Sequence, residues 1–245
     1  MTLRSAHLSE LGFVHGFSTR QGGVSKSPFD SLNLGRAIGD SAESVAENHR
    51  IFAADVGYEA LFELSQVHSA TVREVRRAED PKLVRAEEGD ALIAREAGVA
   101  VGVRTADCIP LLLAHPPTGI VAAVHAGWRG VEAGIAAEAA REMAVPPGEL
   151  LAVAGPHIRV ASFEVGEDVA ERLEAASSAQ NVISHAYERP HVDLFRVLEA
   201  QLADIGVRLE DLGDDTFADA GRFFSYRRDG KTGRHLSVIV ARGAA

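Results

Sequence analysis

The sequence predicts a mixed α/β (α+β) protein folded as a single domain. Three observations carry that expectation. Short apolar or alternating runs recur from residue 13 to residue 241, Ala- and Glu-rich segments with helical spacing fall among them, and no repeat, low-complexity tract or long linker divides the 245 residues. A hydrophobic content of 46% is enough to fill a substantial core without staples.

Taken in order, the first strand is expected over 13–18 (FVHGFS), followed by a helix over 41–56. Strands then follow at 62–67, 71–76, 90–94, 99–104, 109–114 and 119–125, several of them apolar on both faces, as strands covered on both sides are. An Ala- and Glu-rich helix is expected over 129–144, a strand over 151–155, helices over 166–177 and 193–206, and a last strand over 235–241. SSAQN near residue 177 reads as a loop, and FFSYRRDGKTGRHLSVIVA reads as a hairpin turning at DGKTG.

The formal charge of −10 comes from 35 acidic against 25 basic side chains without a long block of either sign, which argues against nonspecific nucleic-acid binding. A local basic cluster, YRRDGKTGRH with Arg227, Arg228 and Lys231, still suits a small anion. The single cysteine excludes an internal disulfide, and MTLRSAHLSELGF lacks the pattern of a secretory signal, so the reducing cytoplasm is the expected location. The apolar runs IPLLLA and GIVAAV fall far short of the roughly 20 residues that cross a bilayer. No membrane association is expected.

Cys108 stands in RTADCIPLLLA at the start of one apolar run, and His125 follows seventeen positions later at the end of another. Free cysteine is usually a buried hydrophobe, and a lone histidine is usually structural. Here both end apolar segments beside small or polar residues, where layered α/β proteins bind ligands, and His68 in LSQVHSATV interrupts a third segment. Two imidazoles and a thiolate, if the fold joins them, make a three-ligand set with an open fourth position, the composition of a catalytic zinc site. Gly127 and Gly130 permit close backbone approach there, and the helix that follows directs its N-terminus towards the same region. Trp128 is placed to stack on a flat ligand.

Several motifs, in this order along nearly the whole chain, make the sequence resemble a known family: GFSTRQGGVS, SLNLG, ENHR, QVHSATV, TADC, HAGWRG, FEVGEDV and FFSYRRDGKTGR. It is similar to bacterial proteins known as multicopper polyphenol oxidases or laccase-domain proteins, a group that includes purine nucleoside phosphorylase and peptidoglycan editing factor members. The resemblance implies a mixed α/β sandwich with His68, Cys108 and His125 as metal ligands and Asn33, Arg50 and Arg20 as substrate-binding residues. It also implies phosphorolysis of adenosine, inosine and methylthioadenosine and deamination of adenosine, with Asp107 the positional candidate for the acid/base group. Zinc is the expected metal, and copper is able to occupy the same ligands in vitro. Multicopper oxidation is hard to build from ten histidines with no HxH or HCH motif and only Met1 and Met143. The alternative enzyme is an amide hydrolase editing peptidoglycan precursors, with Cys108 as nucleophile, His125 as base and His68 or Asp107 orienting it.

Overall fold

A computed structural model describes residues 2–244. Alternation along the buried strands decides the layering. In Ala91–Ala94, Leu92 and Ala94 join a core with Phe17, Val101 and Ile239, whereas Ala91 and Ile93 join another with Ile135, Ala139 and Leu198. Period-two side chains therefore feed two cores from one strand.

The larger sheet runs in the order Arg208–Asp211, Leu151–Ala154, Ile109–Ala114, Val121–Ala126, Ala91–Ala94, Val72–Val75. Its inner pairings are antiparallel and its two edge pairings parallel. The second sheet runs Thr2–Leu3, His15–Ser18, His235–Val240, Ala100–Thr105, Leu61–Phe62, so both ends of the chain meet in it. Phe17, wholly buried between the sheets, contributes on the order of 2–3 kcal/mol by leaving water. Helices Ile135–Glu142 and Leu194–Asp204 cover the outer face of the larger sheet, and Ala42–Val56 covers the smaller one through Phe52 and Val56. The order helix, sheet, sheet, helix is the expected mixed α/β sandwich. Ser41 caps the helix Ala42–Val56 by accepting from the backbone N–H of Ser44, and Gly57 at φ 97 ends it in the left-handed region.

Three expectations need correction. The strand predicted over 62–67 is only Leu61–Phe62, and the rest is loop leading to His68. The helix predicted over 129–144 is two pieces, Trp128–Glu132 and Ile135–Glu142, because Gly134 takes φ 74 between them. A five-residue helix therefore follows HAGWRG, too short to direct a sizeable dipole at the site. The predicted C-terminal hairpin has only its second arm: Tyr226–Asp229 is a helical turn, capped by Ser225, whose hydroxyl accepts from Arg228 N. Arg227 and Arg228 are consequently drawn inwards, onto the carbonyls of Glu164 and of Thr216, Phe217 and Phe223, rather than solvated at a hairpin tip.

Two features of this architecture make the site. The chain leaves the smaller sheet at Thr105 and enters the larger one at Ile109, so Cys108 stands at the corner where it changes sheet. The register then pairs Ile109 with Ala126 and Pro110 with His125, which brings the end of the next strand beside that corner.

Candidate functional site

Three strand ends converge at one edge of the larger sheet. Asp90 immediately precedes Ala91–Ala94, and its backbone carbonyl accepts from His125 N at 2.8 Å. Its carboxylate, almost wholly buried, accepts from the backbone N–H of His68 at 3.0 Å and of Ser69 at 2.6 Å, and from Ser69 Oγ at 2.8 Å. This folds the 66–69 loop over the strand ends. Gln66 fixes the other side of the loop by exchanging side-chain bonds with the backbone N–H and C=O of Arg104, at 2.8 and 2.7 Å. His68 is thereby held at φ 62; Asp107, before Cys108, stands at φ 97, and both are non-glycine residues in a region that costs of order 1 kcal/mol or more.

The ligand atoms of His68, Cys108 and His125 all lie within 4.8 Å of one another. Cys108 Sγ is 3.9 Å from His68 Nε2, and the two imidazole rings meet edge to face at 4.7 Å. His125 Nδ1–H donates to Asp90 Oδ1 at 2.8 Å, which leaves Nε2 as the ring nitrogen that a metal would take by displacing its proton. Burial opposes charge on both Cys108 and His125. Their mutual attraction overrides it, with further hydrogen bonding from His68 to the sulfur and from His125 to Asp90: the thiol is brought down to about 6 and the imidazole up to about 9. Burial likewise disfavours the Asp90 carboxylate, yet hydrogen bonds from His125 and Ser69 hold it below the usual carboxylate range.

The donor set suits one metal ion. Two imidazoles and a thiolate are the right donors, and the carboxylate behind His125 is the usual partner of a ligating imidazole. Space agrees: a Cβ on Gly127 would come within 2.6 Å of His68 Cδ2 and 3.2 Å of Cys108 Sγ, so only glycine leaves the cradle open. The group opens into a cleft of about 680 Å³ whose walls include Arg36, Arg85, Arg104, Arg234 and Tyr226.

Residues 14–242 match the family model for the multi-copper polyphenol oxidoreductase laccases. The chain belongs to this laccase family. It is 39% identical over 226 residues to a Pseudomonas aeruginosa protein named purine nucleoside phosphorylase, covering 91% of this chain and 90% of that one. It is also 39% identical over 242 residues to a Deinococcus radiodurans protein of the same name, covering 94% and 89%. Among solved structures it resembles YlmD from Geobacillus stearothermophilus, with a TM-score of 0.88 and 31% identity over 94% of this chain and 92% of that one. A DUF152 protein of Neisseria meningitidis superposes with a TM-score of 0.85 and 35% identity over 94% of each chain.

The laccase-family name suggests several coppers, whereas among the described residues His68, Cys108 and His125 form the single His/Cys/carboxylate group of this kind, enough for one ion. The other anticipated residues of this laccase-family chain lie elsewhere. Asp107 is not part of the cleft wall: Oδ1 accepts from Thr216 Oγ1 and Oδ2 from Arg227 N, both at 2.7 Å, so its carboxylate braces the corner before Cys108. Asn33 is wholly buried and accepts on Oδ1 from Gly35 N and Arg234 N, at 2.8 and 2.9 Å, supporting two cleft residues from behind. Arg50 extends from the outer face of helix Ala42–Val56, largely exposed, and pairs with Glu47. Arg20 donates to the carbonyls of Asp30 and Ala220 and lies 4.7 Å over the Phe224 ring. Trp128 packs against the helix-side core with Arg129 and Arg172 against its ring, at 4.4 and 5.3 Å, so it is a wall of the core rather than a stacking surface in the cleft.

Sequence reasoning missed Asp90 and the cleft arginines. An aspartate before a strand looks like an ordinary turn residue, and Arg36, Arg85, Arg104 and Arg234 are scattered through four segments. Only the folded chain collects them, Arg104 from a strand and Arg36 and Arg85 from segments outside the strands.

Proposed function

We propose that the chain is a zinc-dependent purine nucleoside phosphorylase acting on adenosine, inosine and methylthioadenosine. The observation that carries this reading is the His68/Cys108/His125 group set in the wall of a cleft whose charged lining is cationic. The names of the relatives at 39% identity point the same way.

Phosphorolysis joins a phosphate oxygen to C1′ of the ribose while the bond from C1′ to the purine nitrogen breaks. The bonding pair leaves with the base, and the proton of hydrogen phosphate ends on the purine. The protein must hold a dianion beside the sugar and exclude water, a task of positioning and charge stabilisation suited to arginine forks. Arg36, Arg85, Arg104 and Arg234, which line the same cleft as Cys108, are the groups available for it. Zinc held by His68 Nε2, Cys108 Sγ and His125 Nε2 would supply a Lewis acid to this chemistry. Asp90 keeps His125 in the tautomer that offers Nε2, and Cys108 is already stabilised as a thiolate.

Deamination of adenosine in the same cleft would use the same ligands but also needs a group that moves a proton. No carboxylate is among the described residues that line the cleft, and Asp107 is committed to Thr216 and Arg227, so phosphorolysis is the better supported reaction. Incubation of the purified chain with inosine, with and without phosphate, tests the reading: hypoxanthine and ribose 1-phosphate are expected only with phosphate. Hypoxanthine formed equally without phosphate would contradict it.

The line Asp90, His125, Cys108 also has the order of an acid, base and thiol nucleophile, which favours a second reading as an amide hydrolase on cell-wall precursors. A bound zinc ion would occupy that sulfur. Metal-free protein with rapid alkylation of Cys108 by iodoacetamide would favour the hydrolase.

A further inference from the structure

The cleft's positive charge is organised by a buried carboxylate. Glu63 is 2% exposed and lies behind the wall, 3.1 Å from Arg104 Nε and 3.6 Å from Arg36 Nε. Neither contact has hydrogen-bond geometry: Glu63 Oε1, Arg104 Nε and Arg36 Nε are all buried without a hydrogen-bond partner. Arg104 also donates through Nη2 to Leu64 O, at 3.1 Å. One carboxylate thus lies behind two arginines that line the cleft, one of which, Arg104, is also tied through Nη2 to the backbone.

Arg85 lines the same cleft, and among the described residues no acidic side chain pairs with it. Burial holds the Arg36 guanidinium below its ordinary range; Glu63 opposes this, while the charges of Arg85 and Arg104 push it further down. Arg234 is lowered chiefly by burial, is favoured by Cys108 and is repelled by Arg104. Arg36 and Arg104 share Glu63, and Arg85 and Arg234 line the same cleft. Four arginines in one cleft, with Glu63 behind two of them and Asp107 favouring Arg234, in a chain of formal charge −10, is a concentration of like charge that burial and mutual repulsion both oppose. A bound dianion removes the repulsion and gives the unpaired guanidinium nitrogens their acceptors.

We propose that Arg36, Arg85 and Arg104, with Glu63 as the residue that positions two of them, form a phosphoryl-binding subsite in the cleft. The group bound is a tetrahedral phosphoryl dianion, either free phosphate or a phosphate ester on the sugar of the substrate. This deepens the phosphorylase reading and rests on it only for the role of the anion.

The test is calorimetric titration of the zinc-loaded full chain with inorganic phosphate and, separately, with inosine 5′-monophosphate against inosine. Arg85→Ala is the primary variant, since Arg85 is partly exposed and its loss leaves no buried charge unpaired. Glu63→Gln and Arg36→Ala follow, with thermal unfolding as the check on folding. Arg85→Ala is expected to weaken the phosphoryl ligand about tenfold, and Arg36→Ala at least as much, with inosine affinity and zinc content unchanged. Loss confined to inorganic phosphate identifies a co-substrate site, and loss confined to the monophosphate identifies a phosphorylated substrate; either supports the subsite. Phosphate and monophosphate that fail to bind the parent chain, or bind it and Arg85→Ala equally, overturn it. Phosphate binding that depends on Arg85 in a chain that cleaves no nucleoside would refute the phosphorylase reading and leave the subsite standing. Cleavage with the same phosphate dependence in both proteins would do the reverse.

Discussion

Asp90 and His125 are joined twice: the backbone N–H of His125 donates to the Asp90 carbonyl, and His125 Nδ1 donates to Asp90 Oδ1, each at 2.8 Å. Because the same carboxylate takes the backbone N–H of His68, one buried side chain positions two of the three candidate ligands. Asp90→Asn must present an amide N–H to one of these donors, so zinc affinity should fall about 10–100-fold. Competition with a chromophoric chelator measures this, and an unchanged affinity would show that Asp90 only holds the loop.

Gly127 separates a steric requirement from a conformational one. Its φ of −73 is open to any residue, so Gly127→Ala should cost only about 0.5–1 kcal/mol as a poorer helix cap. The added methyl would nevertheless stand 2.6 Å from His68 Cδ2 and displace that ring. The expected variant folds at nearly the parent's melting temperature and retains zinc at least about tenfold less tightly, as for other displaced ligands. Full zinc retention would mean that His68 has room to move.

Acid should destabilise the fold through histidines buried as neutral rings. Burial, with help from Arg159, holds His157 at about 4 against 6.5 when unfolded, and its Nε2 is buried with no hydrogen-bond partner. The unfolded chain therefore binds the proton first. The contribution of His157 is complete above pH 6.5 and is lost as pH falls towards 4, at about 1.4 kcal/mol per pH unit. His157→Asn keeps a donor near Gly155 O but cannot titrate, so urea unfolding between pH 6 and 4.5 should show a slope flatter by about that amount. Equal slopes in the two proteins would contradict the assignment.

The arginines expected from the motifs should prove dispensable for substrate. Arg50 is exposed and paired with Glu47, and such surface pairs rarely influence a distant cleft, so Arg50→Ala should leave the KM for phosphate and for nucleoside within about twofold. A larger rise in either KM would return Arg50 to the site.

The candidate metal ligands were legible in the sequence because each ends or interrupts an apolar run, at the end of a sheet; His68, Cys108 and His125 do converge. The strands were legible for the same reason, and Ile109–Ala114 falls where the run IPLLLA predicts it. What surrounds the ligands was not, because it depends on pairing across the chain. Arg104 reaches the cleft only because Ala100–Thr105 ends beside the 66–69 loop, and Arg234 because the buried Asn33 holds its backbone N–H. The hairpin prediction failed because Ser225 caps a helical turn, a choice stabilised by the Asp107 carboxylate on Arg227 N, more than a hundred residues away in the chain. Trp128 packs on the core side with Arg129 and Arg172 against its ring, a surrounding the HAGWRG motif alone does not reveal.

The most direct test of the central claim is elemental analysis of the purified chain and of Cys108→Ala, with phosphorolysis of inosine measured on the same samples. The account predicts about one zinc ion per parent chain, and loss of both metal and turnover in the variant. A parent chain free of metal, or a variant that turns inosine over at the parent rate, would contradict it.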